Sequence, residues 1–223
     1  MFRTRLRLVL AFALCALPAT LQAHDLVLPF VDEAAQSPGF ATYREELIAA
    51  IAARDAEAVA DMAAPEVKLS FGGDYGRQDL LDRLHRASTE ETNGTARTYW
   101  TELEDVLALG GTFDASGGFT APYFFTAPLP EDADPFAIWF VTQDDTPIYD
   151  SPSKSADIID QLEAGTVLEL GYDDYDAPVR WVRRADGREG YVRATHMRSL
   201  LDYRAIFEEI DGNWQMTIFV AGD

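Results

Sequence analysis

At Phe113 the spacing of apolar residues changes period, and this divides the chain into a helical stretch and a strand-rich one. Before it, Phe40, Tyr43, Leu47, Ile48 and Ile51 recur at three- and four-residue steps within residues 40–64, one stripe of an amphipathic helix. Asp55 is placed to cap a second helical stretch with Val59 and Met62 inward, and Pro65 to stop it. Residues 67–71 alternate as a short strand, and Gly72, Gly73 and Gly76 make a turn. Residues 77–87 form a third helix with Leu80, Leu81 and Leu84 inward, followed by a polar loop at 88–94. A fourth, at 99–109, carries Trp100, Leu103, Val106 and Leu107 and ends at Gly110-Gly111.

After Phe113, residues 120–135 hold Pro122, Pro128, Pro130 and Pro135 with Glu131, Asp132 and Asp134, an extended segment leading into a linker. Short strands are expected at 136–142, 162–171, 178–184 and 188–193. Asp186-Gly187 favours a tight hairpin, and Asp211-Gly212 joins residues 203–210 to 213–220. Trp214, Met216, Ile218 and Val220 alternate along the last segment, so one face of it is expected to be buried. The pattern predicts an α+β fold, with a helical N-terminal region, a run of short strands and a C-terminal β-hairpin. With 48% hydrophobic and 12% aromatic residues, the composition is that of a globular protein.

Arg3, Arg5 and Arg7 precede an apolar run at residues 8–17 that is too short to span a bilayer, and Pro18 and Leu21-Gln22-Ala23 follow. This is the plan of a secretory signal peptide covering residues 1–23, and it predicts a periplasmic or secreted product. Cys15, the only cysteine, lies inside the leader, so the mature protein is expected to lack disulfides, thiolate metal sites and cysteine nucleophiles. No later segment is long and apolar enough for a transmembrane helix.

The chain has 38 acidic and 18 basic residues, a formal charge of −20, and losing the three leader arginines takes it to −23. Such a field repels phosphate backbones and anionic membrane surfaces, so nucleic acid is not an expected partner. The charge is uneven. Residues 98–153 contain ten acids and no lysine or arginine, whereas residues 180–204 contain seven arginines against Asp186, Glu189 and Asp202. The two zones are expected to face each other across an interface; the rival reading has the arginines receiving an anionic ligand.

Residues 138–199 carry an ordered set of short motifs: Phe140-Val141-Thr142, Pro147-Ile148-Tyr149, Ser151-Pro152-Ser153, Ile158-Ile159-Asp160-Gln161-Leu162 and Glu163-Ala164-Gly165-Thr166-Val167. Trp181-Val182, Asp186-Gly187-Arg188 and Gly190-Tyr191-Val192 complete it. In this order they resemble a bacterial SH3 domain, a small β-barrel of envelope proteins. Members often have an arginine just before the Ser-Pro-Ser stretch, where this chain has Tyr149-Asp150. The flanks more weakly resemble nuclear-transport-factor-2-like domains. That likeness rests on Ile48-Ala49-Ala50-Ile51, Arg54-Asp55-Ala56-Glu57-Ala58, Val67, Gly76-Arg77, and Glu209-Ile210-Asp211-Gly212-Asn213-Trp214-Gln215-Met216. The helix at 99–109 departs from that family, which has strands by then. The resemblances imply four divisions: a leader at 1–23, a helical α+β domain at 24–135, the SH3-type barrel at 136–201, and a hairpin at 202–223 packing back on the N-terminal domain.

Catalytic patterns are sparse. His24, His85 and His196 are far apart and form no zinc motif, and no Gly-x-Ser-x-Gly turn is present. With so many carboxylates, no particular acid pair stands out for glycoside hydrolysis. Asp173, Asp174 and Asp176 lack the spacing of a calcium loop and read as a solvated acidic loop. Phe71, Trp100 and Trp214 are candidate pocket walls, with ordinary core packing as the simpler reading. No cofactor or metal is expected, and a non-enzymatic role is favoured over catalysis. The expected role is a binding module of the envelope, recognising an envelope protein or a peptidoglycan fragment (wall peptide or glycan). Tyr149, Tyr175, Trp181 and Arg183 are its candidate ligand-binding residues. The alternative is a small-ligand carrier or enzyme using a pocket in the helical part.

Overall fold

The structure is a computed structural model that describes residues 25–88, 98–129, 131, 133–171 and 177–222. The expected leader, His24, most of the polar loop after residue 88, the acidic loop and Tyr175 lie outside the described residues. Among the described residues, four α-helices stand in the first half: α1 Pro38–Ala52, α2 Ala56–Asp61, α3 Arg77–Ala87 and α4 Tyr99–Ala108. Side-chain caps set three of their starts. Ser37 Oγ accepts from the Phe40 N–H at 3.3 Å, Asp55 from Ala58 at 3.0 Å, and Thr98 Oγ1 from Thr101 at 3.2 Å. Arg54, at φ +56°, breaks the chain between α1 and α2.

The strands are β1 Ala63–Lys68, β2 Thr112–Phe113, β3 Phe119–Ala121, β4 Ile138–Val141, β5 Thr146–Tyr149 and β6 Ile158–Leu162. They continue with β7 Val167–Leu170, β8 Val179–Arg184, β9 Glu189–Arg193, β10 Met197–Ser199, β11 Arg204–Ile210 and β12 Asn213–Val220. Helix was expected to reach residue 64 and stop at Pro65; instead α2 ends at Asp61 and Pro65 lies inside β1. β1 lies at the edge of its sheet with β12 as its strand neighbour and only a bridge from Lys68 to Tyr75 besides, and an edge tolerates a residue without an N–H.

Two sheets form, one of five strands in the order β1-β12-β11-β3-β2 and one of seven in the order β10-β4-β7-β8-β9-β5-β6. β1 runs parallel to β12, and the other pairs of the first sheet are antiparallel. β3 and β11 are neighbours there, yet the whole second sheet lies between them in the chain. The helices cover the first sheet over a core of Phe40, Leu47, Ile51, Val59, Leu80, Leu84, Trp100, Val106, Phe119, Phe207 and Met216. The alternation expected along β12 shifts midway. Ile206 faces Ile218 and Phe207 faces Met216, so Thr217 is an extra residue. The slip leaves Ile218 half-buried and carries Phe219 into the core.

Among the described residues, β6 and β10 are the outer strands of the seven-stranded sheet and do not pair with each other, so its ladder does not close into the expected barrel. All seven strands nevertheless bury side chains in one cluster containing Trp139, Ile148, Leu162, Leu168, Val182, Val192 and Met197. A single cluster can draw on both edges only if the sheet curls around it. Gly190 permits the tight approach of β9 to β5, since a Cβ there would sit 2.6 Å from Ile148 Cγ1.

β4 is buried on both faces. Trp139 and Val141 enter the cluster of the second sheet, while Ile138 and Phe140 join Leu28, Tyr123, Phe124, Val167 and Leu200 in a third cluster between the two layers. Phe124 stacks on Phe140 with centroids 4.3 Å apart. A strap at residues 25–33 runs past both sheets. Val167 N–H donates to Leu26, Leu28 N–H to Gly165, Gly111 N–H to Val31 and Glu33 N–H to Gly111, all within 2.8–3.1 Å.

Candidate functional site

β8, β9, β5 and β6 lie side by side, and their register lines up one residue from each. Trp181 faces Tyr191, Tyr191 faces Tyr149, and Tyr149 faces Ile158. Cross-strand partners share a sheet face. The opposite face carries Ile148, Val182 and Val192, all 1% exposed or less, so the row points away from the core. Ile148 faces Asp160 while Tyr149 faces Ile158, which leaves Ile159 as an extra residue at a bulge. Ile158 and Ile159 are 57% and 53% exposed. At about 4.8 Å per strand, the row spans roughly 14 Å.

Charges border it. On one side Glu169, Arg183 and Glu189 are in register. Arg183 Nε donates to Glu189 at 3.3 Å, its Nη1 lies 3.5 Å from Glu169, and its Cζ lies 5.1 Å from the Trp181 ring centroid. On the other side Arg193, paired with Val179, holds its Cζ 5.9 Å from the Tyr149 ring. Flat aromatic faces with a guanidinium at each side suit an extended or ring-shaped ligand that carries acceptors.

Of the four residues expected to bind ligand, the structure brings Tyr149, Trp181 and Arg183 onto this one face, and Tyr175 lies outside the described residues. Sequence reasoning missed Tyr191, Arg193, Ile158 and Ile159 as members. Strict alternation along β9 puts Tyr191 and Arg193 opposite the buried Val192 and was legible. The bulge that exposes two successive isoleucines was not.

A second concavity lies between α4 and the β4–β10 edge of the seven-stranded sheet, a cleft of about 550 Å³. Glu102 and Asp105 line it from α4, Trp139 and Arg198 from the sheet, with Arg180 and Asp202 nearby. Arg198 is wholly buried. Its Nη2 donates to Glu102 Oε2 at 2.7 Å and to the Tyr203 carbonyl at 3.2 Å, and Asp105 lies 3.7 Å from Nη1. This is where the arginine-rich zone meets the acidic one. Others of the seven pair elsewhere: Arg184 with Asp25 and Asp160, and Arg188 with Asp160 and Asp186.

The aromatic candidates of the helical part are mostly core. Trp100 is buried and its Nε1 donates to the Leu84 carbonyl at 3.0 Å. Trp214 packs on Phe40, which also meets Phe113, Phe119 and Phe207 at 4.3–5.7 Å, so rings fill this space. Phe71 is 49% exposed. His85 is exposed 3.4 Å from Glu57, and His196 sits in a 3₁₀ turn where burial, then Arg193, lowers its pKa. Among the described residues no three His, Cys, Asp or Glu side chains gather as metal ligands, and no helix is long and apolar enough to cross a membrane.

The architecture is thus a mixed α+β one. No family model and no curated protein matches the chain. Three solved chains match. One, from Xanthomonas campestris, is described as a calcium/calmodulin dependent protein kinase II association domain. It is 13% identical, with 87% of this chain and 97% of that chain covered and a TM-score of 0.29.

Proposed function

We propose that the protein is an exported, non-catalytic binding module of the cell envelope, and that its second sheet is a bacterial SH3-type unit whose outer face recognises a wall-derived peptide or glycan. The observation that carries this reading is the row Trp181–Tyr191–Tyr149–Ile158, aligned by strand register on the outer face between Arg183 and Arg193, its three rings half-buried and Ile158 exposed. Supporting the SH3-type assignment, the motifs of residues 138–199 fall on β4, β5, β6, β8 and β9 in order, with the Gly165 turn at φ +83° and a 3₁₀ turn before β10. Export rests on the leader pattern of residues 1–23 and the thiol-free remainder.

The test is retention of the mature chain on purified cell-wall sacculi, with binding isotherms to soluble wall fragments released from them. Trp181→Ala should weaken binding by about 30-fold, the loss of one central aromatic contact. No retention by sacculi or fragments, or retention indifferent to Trp181→Ala, overturns the assignment.

A further inference from the structure

We infer that the ligand of the outer face is a short peptide with a free carboxylate, and that Arg193, beside Tyr149, is the cation that receives it. The inference rests on the proposed reading of that face as a binding surface, and it gives the surface a direction.

The two sides of the aromatic row differ in charge. On one side Arg183 stands in register between Glu169 and Glu189 and lies within 3.5 Å and 3.3 Å of their carboxylates. That arginine is neutralised within the sheet, and its side of the row keeps a net negative charge. On the other side Arg193 is paired in register with Val179. The antiparallel register of β5 on β9 brings Pro147 to the same level, with Gln161 of β6 facing it. None of these neighbours is charged. Asp150 follows Tyr149 on β5 and so lies toward Glu189, away from Arg193. Its Oδ1 accepts from Ser151 Oγ at 3.1 Å and from the Asp157 N–H at 3.2 Å.

Arg193 stands apart from its fellows. Arg183, Arg184, Arg188 and Arg198 each hold a carboxylate of this chain. Arg193 is exposed and, among the described residues, pairs with no carboxylate; what its guanidinium meets is the Tyr149 ring at 5.9 Å. Its field reaches His196, where it adds to burial in lowering the pKa, so the group beyond it brings no negative charge either. In a chain of 38 acids and 18 bases, a cation with no internal acid beside a row of rings is complementary to an external one. Beside the ring, the guanidinium keeps its N–H fork for a bidentate carboxylate.

Charge and length select the ligand. A neutral sugar chain stacks on the rings but leaves Arg193 facing water, whereas a short peptide brings a carboxylate at its end. The row spans roughly 14 Å, about four extended residues. The Glu169–Arg183–Glu189 side repels that carboxylate, which leaves the Arg193 side to receive it.

The test separates sacculi with an amidase into a free-peptide fraction and a glycan fraction, and titrates the mature chain with each by calorimetry. A portion of the peptides is converted to amides with carbodiimide and ammonia. The free-acid peptides should bind at least about tenfold more tightly than their amides and than the glycan fraction, the worth of one charge-assisted contact. Arg193→Gln, its fold verified by circular dichroism, should abolish that preference by weakening only the free-acid form. Trp181→Ala should weaken both forms and keep their ratio. Equal binding of acid and amide, equal binding of the glycan fraction, or unchanged affinity in Arg193→Gln overturns the inference while the reading of the face as a binding surface stands. Binding of neither fraction overturns both.

Discussion

Asp160 shows how one side chain on a sheet edge is committed. It accepts from Arg184 Nη1 at 2.7 Å and Arg188 Nη1 at 3.0 Å. The Arg184 hydrogen bond, helped by the Gln161 N–H, holds its carboxyl below the usual value of 3.8. A carboxylate whose folded pKa is depressed contributes stability that is complete above the unfolded value, and that contribution is lost as pH falls through the folded one. Acid unfolding should therefore find Asp160→Asn less stable than the parent at neutral pH, with the gap closing below about pH 4. A gap that stays constant down to acid pH would refute the assignment. The pairing itself was not legible in the sequence, because Asp160 and Arg184 lie on strands separated in the sheet by β5 and β9.

Among the elements, the strap at residues 25–33 bonds to both layers. It has no helical or alternating pattern, so sequence reading passed over it. Yet Leu28 is 8% exposed in the third cluster, its carbonyl accepts from Tyr123 Oη at 3.2 Å, and Asp25 pairs with the buried Arg184. Leu28→Ala should cost about 2–4 kcal/mol in denaturant unfolding, the range for a buried leucine truncation. It should also speed hydrogen exchange at the Val167 amide, whose acceptor is the neighbouring Leu26 carbonyl. Normal exchange there would mean that the strap is not a stabilising element. The helices were more legible: Leu80 and Leu84 on α3 and Trp100, Leu103, Val106 and Leu107 on α4 all reach the core along the stripe their spacing describes.

At the scale of the whole molecule, Arg198 joins the two layers. Its guanidinium comes from β10 and its nearest carboxylate from α4, so the ion pair forms only when the sheet packs on the helix. Removing one partner of a buried pair strands the other. Arg198→Met should therefore destabilise the protein by about 3–5 kcal/mol, read from urea midpoints. Replacing Glu102 as well, in Arg198→Met with Glu102→Gln, should recover part of that loss by removing the stranded charge. Equal stability of the single variant and the parent would show the pair to be dispensable.

The amino-acid sequence by itself determined α1, α3, α4 and the start of α2, the change of period at Phe113, the turns at Asp186-Gly187 and Asp211-Gly212, and the aromatic side chains available on β5 and β8. Each depends on local spacing, capping or turn geometry, which act over a few residues. Only the tertiary structure decided the rest: β12 lying beside β1, the bulges at Ile159 and Thr217, the strap, and the alignment of Tyr149 with Tyr191 and Trp181. These depend on register between segments distant in the chain. A slip of one residue turns every side chain to the other face, and such choices are made by the cores that close over them.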